Sequence, residues 1–228
     1  IISLENCESN FANNVTQKTN TQNKIEKRDF VSLDPQQERL QTELALDGIT
    51  YQIKRTNDII SGEKQCNVEE LMIAVACSLR NVDYTVLAKR EVGKLWEDIS
   101  SAPYIEIVND KLSAVKAWRC IAIMNRLTSY IKEKSKSISG RERMCLIHSN
   151  RFALHLILNQ INPQILLDAN YDFDTFCKDD LLPLIEFIEG RIFSIVEEQY
   201  SQSLVHQVFR NYTKCRNIKN KATGDTNF

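Results

Sequence analysis

From Asn67 almost to its last residue, the chain places apolar side chains three and four positions apart, the spacing that lines one face of an α-helix. Val68, Leu71, Val75 and Leu79 follow Asn67, a residue suited to cap them. Val92, Leu95, Trp96 and Ile99 predict a second helix that ends before Pro103. Leu112, Val115, Trp118, Ile121 and Leu127 predict a long third, whose polar end KEKSKSISG reads as a solvated tail or linker. A fourth is expected over 141–160, stopping before Asn162-Pro163. A fifth, over 174–200, turns Phe176, Ile185, Ile188, Ile192 and Val196 inward, and Pro183 either kinks it or marks a new start after Asp179-Asp180. A shorter piece runs to Phe209, and KNKATGDTNF reads as a frayed tail. Only 6 glycines and 4 prolines in 228 residues disfavour an all-β fold, which needs many tight turns.

The front of the chain is different. It opens IISLENCESNF, a strand-like run with no initiator methionine, which predicts the C-terminal part of a longer protein. Asn10 is placed to cap a short helix to about Thr19, and 20–30 is a polar, basic loop. Asp34-Pro35 then starts a helix with Gln37 at its third position, running to about Ala45 with Leu40 and Leu44 inside and stopping at Asp47-Gly48. ITYQIKR alternates apolar and polar residues and predicts a strand, and SGEKQCN a loop. The expected architecture is mainly α: a small α/β segment at 1–60 packed on a helical domain of five to seven helices at 61–228.

Charge and cysteine usage narrow the function classes. A hydrophobic content of 43% supports a sizeable core, and a net charge of -1 argues against bulk electrostatic attraction to nucleic acid while leaving room for a local basic patch. Cys7, Cys66, Cys77, Cys120, Cys145, Cys177 and Cys215 are dispersed singly, as reduced core thiols rather than metal ligands. No run is long and apolar enough to span a membrane and no signal peptide is recognisable, so the expected location is cytoplasmic.

The candidate site lies early. Asn20, Gln22 and Asn23 carry amides that both donate and accept, suited to nucleobase edges or to bracing a turn. Lys24, Lys27, Arg28 and Arg39 supply phosphate partners. Other constellations are weaker. Asp47, Gln52 and Lys54 loosely mimic a Mg-dependent nuclease, but two of those positions belong on separate strands and Gln52 brings no charge to a metal. His148 and His155 share a helical face with Arg151 but lack a third ligand, and Asp179-Asp180, being adjacent, diverge. No catalytic residue, metal ligand or cofactor is indicated, and whether the whole protein is an enzyme stays open.

NTQN at 20–23, Arg28-Asp29, Asp34-Pro35-Gln37, Lys54-Arg55 and the alanine-bearing Ala74–Cys77 stretch occur in an order and spacing that resembles the AIPR family, named for abortive infection phage resistance. The resemblance covers 10–80. It implies a role in antiphage defence and no particular reaction; the family's upstream N-G-x-Q-T segment has no counterpart here. The leading expectation is a sensing module for nucleic acid or for a phage or defence-system protein. The alternative is a helical docking or homodimerisation platform anchored by Trp96, Trp118 and Tyr200.

Overall fold

The computed structural model describes residues 31–53 and 64–224. Asp34 sets the first helix. Its Oδ1 accepts the Gln36 N–H at 3.0 Å and Pro35 takes the first helical position, where a missing N–H costs nothing, so α1 runs Pro35–Leu46. Leu40 and Leu44 are wholly buried on its inner face. Gly48, at φ 71°, supplies the left-handed turn that a side chain would resist, and the chain enters β1 (Thr50–Gln52). Ile49, Tyr51 and Ile53 turn inward in alternation, as the period-two pattern predicts.

β2 (Gln65–Asn67) pairs with β1 in parallel, Tyr51 opposite Cys66. The SGEKQCN segment, expected as a loop, therefore ends in a strand, and its residues 61–63 lie outside the described ones. Its signal is faint because the only buried residue, Cys66, stands between two polar ones. Asn67 then caps α2 (Val68–Ser78) reciprocally: its Oδ1 accepts the Glu70 N–H at 3.1 Å while Glu70 Oε2 accepts the Asn67 N–H at 2.9 Å. Every residue from Leu71 to Cys77 is buried, so α2 has no solvent face and forms the centre of the bundle.

Several boundaries differ from expectation. Val82–Arg90 forms α3, unanticipated because small or polar residues, Thr85 and Ala88, share its buried face with Val82 and Val86. What was expected as a helix around Val92–Ile99 is a single 3-10 turn, Val92–Trp96, followed by the short α4 (Tyr104–Ile107). α5 (Ala114–Lys134) matches the long helix. The expected helix at 141–160 breaks at Ser149 into α6 (Gly140–His148) and α7 (Asn150–Gln160), with the buried Ser149 hydroxyl donating to Leu146 O at 3.3 Å. α8 (Pro163–Leu167) follows.

A turn at Phe173–Thr175 and a π-helical turn at Phe176–Asp180 lead into α9 (Leu181–Tyr200). Pro183 falls at the third residue of α9, where its missing N–H leaves no acceptor of that helix unpaired. After α10 (Val205–Val208), the expected frayed tail is instead helical through Gly224: α11 (Tyr212–Gly224) buries Cys215, Ile218 and Ala222 along one stripe against α3 and α9. Residues 225–228 lie outside the described ones.

α2 packs on α5 and α7, α3 on α7 and α11, and α1 on β1 and α5. One continuous apolar core extends from Leu40 through Ile192 to Ile218. With eleven helices and a two-stranded sheet among the described residues, the fold is mainly α, as expected.

Gln37, with no solvent exposure, joins three elements. Its Nε2 donates to Tyr104 Oη at 3.0 Å, its Oε1 accepts the Tyr51 hydroxyl at 2.5 Å, and the Tyr104 hydroxyl donates to Asp34 Oδ2 at 2.5 Å. Gln37→Leu removes this acceptor from the buried Tyr51 hydroxyl and should cost about 1–3 kcal/mol in urea unfolding. Adding Tyr51→Phe should restore part of that loss; a neutral Gln37→Leu would show that the chain of bonds contributes nothing.

Candidate nucleic-acid interface

Asn20, Gln22, Asn23, Lys24, Lys27 and Arg28 lie outside the described residues. Arg39 lies within α1, and its guanidinium is committed to the fold. Nε donates to Gln36 Oε1 at 2.9 Å, Nη1 to Glu43 Oε1 at 2.7 Å, and Nη2 to the carbonyls of Asn109 and Leu112 at 3.1 and 2.8 Å. It pins α1 to the turn that precedes α5.

The remaining candidates are structural in their contacts. Asp47 sits exposed at the end of α1 and Gln52 in β1, while Lys54 lies outside the described residues. No group of three His, Cys, Asp or Glu able to hold a metal ion occurs among the described residues. Cys66, Cys77, Cys120, Cys145 and Cys215 are buried free thiols, and Asp179-Asp180 are exposed in the π-helical turn. Trp96, Trp118 and Tyr200 all pack against the core.

His155 is fully buried. Its Nδ1 lies 3.0 Å from Cys77 O and its Nε2 has no partner. Burial, with the Lys219 charge adding to it, lowers its pKa to about 4. Between pH 6.5 and that value the unfolded chain binds a proton that the folded chain refuses, so stability is lost as pH falls through this window, by on the order of 3 kcal/mol in full. His155→Gln should flatten the fall in the urea midpoint between pH 7 and about 4. An unchanged slope would remove His155 as its cause.

A basic cluster forms where the C-terminal end of α3 meets the α6–α7 junction and α10. Lys89 Nζ donates to Asn150 Oδ1 at 2.8 Å. Its pKa is lowered to about 8, by burial first and then by Arg151 and Arg210. His148 and His206 face each other with ring centroids 6.0 Å apart, and burial, Lys89, His206 and Arg210 all press the His148 pKa down. Arg210 donates to Arg90 O at 3.4 Å, and Arg90 lies over the Tyr212 ring at 5.3 Å. Beside this cluster a recess of about 470 Å³ is lined by Arg90, Glu91, Gln207, Arg210 and Asn211, so that Arg210 is the member common to both. One carboxylate, Glu91, reaches its rim, where Lys94 pairs with it at 3.0 Å.

Lys89, Arg151 and Arg210 have no ion pair among the described residues. Burial and neighbouring positive charge disfavour the charged form of Lys89, Glu69 favours that of Arg151, and a bound anion relieves what remains. Sequence reasoning missed this site because Lys89, Arg151 and Arg210 are far apart in the chain and only folding brings them together. Only Arg151, flanked by His148 and His155, gave a local hint.

The AIPR family model, described as AIPR protein, matches residues 1–222. The chain belongs to the AIPR family. This membership places it among proteins of abortive infection and phage resistance. No curated protein matches the chain, and no solved structure does. In this AIPR chain the Asp34-Pro35-Gln37 motif caps α1 and holds Tyr51 and Tyr104, and the Ala74–Cys77 stretch forms the buried centre of α2. Among the described residues no helix is long and apolar enough to cross a membrane.

Proposed function

We propose that this AIPR chain senses nucleic acid during antiphage defence, with the phosphate backbone meeting the cluster of Lys89, Arg151 and Arg210. The observation that supports the reading is the convergence of these cations with no carboxylate paired to them. A phosphate there favours the charged form of Lys89 and accepts donors from Arg210, while release of condensed counterions supplies much of the free energy. His148 and His206 face each other beside the same cluster, and a bound anion favours the charged form of His148. In this reading Lys24, Lys27 and Arg28 add phosphate contacts, and the amides of Asn20, Gln22 and Asn23 read base edges.

The experiment is electrophoretic mobility of labelled DNA and RNA, single- and double-stranded, with the full chain at two salt concentrations. The expected result is a shift that weakens as salt rises and disappears in the Lys89→Glu, Arg210→Glu double variant. A chain that shifts none of the probes sinks the proposal, as does a shift indifferent to the double variant.

A further inference from the structure

Positive charge is concentrated in the segment that folds as α11. Between Arg210 and Gly224 stand Arg210, Lys214, Arg216, Lys219 and Lys221 with no aspartate or glutamate, in a chain whose net charge is -1. Cys215, Ile218 and Ala222 fix the side of the helix that faces the core. Opposite them, Thr213, Asn217 and Asn220 are exposed at i, i+4 and i+7. None of these three side chains makes a hydrogen bond among the described residues, so two amides and a hydroxyl point outward in a row without partners. Asparagine is a poor helix former, and here it stands twice in an exposed helix interior with no bond in return.

The cations flank this row on both sides. Toward α3, Arg216 pairs with Asp83, and Lys219 donates to Arg80 O. Toward α9, Lys221 pairs with Glu198 at 3.2 Å, and Lys214 donates to Ser203 Oγ at 2.9 Å. Asp83 and Glu198 are the carboxylates paired with α11 among the described residues. Ion pairs at a surface contribute little, so phosphate oxygens can take the place of either carboxylate.

Granted the nucleic-acid reading above, on which this rests, we propose that α11 enters the major groove of double-stranded DNA, reading base edges with Asn217 and Asn220 while its cations hold the phosphates on either rim. The dimensions agree. The groove is about 12 Å wide and an α-helix with its side chains about 10–12 Å across. From Thr213 to Asn220 the helix rises about 10 Å, the height of about three base pairs. An asparagine amide donates to adenine N7 and accepts from adenine N6, a pairing specific to that base. Arg210, and Arg90 over the Tyr212 ring, lie at the N-terminal end of α11. A duplex seated on the helix therefore reaches the Lys89, Arg151 and Arg210 cluster as well.

Other partners fit this face less well. Duplex RNA has a major groove too deep and narrow for a helix. Single strands stack their bases on aromatic rings, and the outward row carries none. A lipid surface takes up apolar side chains, which the row also lacks.

Selection by the full chain from duplex DNA with a randomised stretch, followed by fluorescence anisotropy on the selected and scrambled duplexes, tests the assignment. An adenine-containing site should enrich and bind about tenfold or more tighter than the scrambled duplex. Asn217→Ala with Asn220→Ala should bring the two affinities together while leaving the salt dependence unchanged. This variant keeps the fold, because alanine is the better helix former and neither amide bonds to the chain. Arg216→Ala with Lys221→Ala should weaken both duplexes alike and lower the slope of log affinity against log salt by about 1.8. A pool that enriches no site overturns the inference, as does a preference that survives the asparagine substitutions. Tighter binding to single-stranded DNA, duplex RNA or phosphatidylglycerol vesicles overturns it too. Duplex binding without base preference that Lys89→Glu, Arg210→Glu abolishes would sink the role of α11 alone; a chain that binds no nucleic acid sinks the nucleic-acid reading with it.

Discussion

The Lys89→Glu, Arg210→Glu variant will bind nucleic acid roughly a hundredfold to a thousandfold more weakly than the native chain at physiological salt. Each phosphate-neutralising cation that is removed lowers the slope of log affinity against log salt by about 0.9, and each carboxylate put in its place adds repulsion. The variant should not suffer in stability. Lys89 is pressed by Arg151 and Arg210; in the double variant the glutamate at 89 gains attraction to Arg151 while its repulsion by the glutamate at 210 replaces that between the two cations. Weak binding with an unchanged or higher unfolding midpoint is the pattern of a site whose charge arrangement serves a ligand at the expense of the fold. Loss of binding together with loss of stability would instead show that these side chains hold the bundle together. Mobility shift at two salts and urea unfolding, run on the same preparations, separate the two.

Arg119→Ala should destabilise the bundle by about 3–5 kcal/mol, the largest loss expected of a single substitution here. Arg119 is only 7% exposed, yet no ion pair among the described residues includes it. Its Nη1 donates to Ile165 O at 2.9 Å and Asp168 O at 2.6 Å; its Nη2 donates to Ala169 O at 3.5 Å and Tyr171 O at 3.1 Å. The guanidinium also lies 5.0 Å from the centre of the Phe173 ring. The carbonyls at the end of α8 and in the following turn present the negative ends of their dipoles to it, so one side chain closes the whole connection from α8 to α9. Alanine removes the guanidinium from all four carbonyls; Asp168 O and Tyr171 O keep the Tyr171 and Phe173 N–H groups as donors at 3.0 and 2.8 Å, so the loss falls mainly on Ile165 O and Ala169 O. Arg119→Lys, a point charge without the fork, should recover less than half of the loss. Urea unfolding measures both, and a cost below about 1 kcal/mol for alanine would refute this account.

The parts of the fold that sequence reasoning located share one property: their signals are local. Asp34-Pro35 and Asn67 followed by Glu70 satisfy backbone donors within three residues of themselves, so α1 and α2 begin where the caps say. Tyr51 between two less buried neighbours marks β1, and the stripe Phe176, Ile185, Ile188, Ile192 and Val196 marks the face of α9. β2 and α11 escaped notice because their cores are small: Cys66 in one, Cys215 and Ala222 in the other. Such residues become core only when a partner element covers them. The break at Ser149 has no local signal, since both of its flanking helices are good helix sequence.

The candidate sites divide along the same line. The polar-basic segment from Asn20 to Arg28 was conspicuous because its members are neighbours in the chain, whereas Arg39 was indistinguishable from a free surface cation until its four acceptors came into view. The amino-acid order by itself determined the helical class, the capped starts of α1 and α2 and the family membership, because periodicity, capping and motif spacing are short-range properties. Tertiary structure alone decided which charges are left over. Lys89 with Arg151 and Arg210 acquires its chemistry from burial and from groups brought close by folding. The free energy of a charge depends on its distance to other charges and to water, and neither distance is written along the chain.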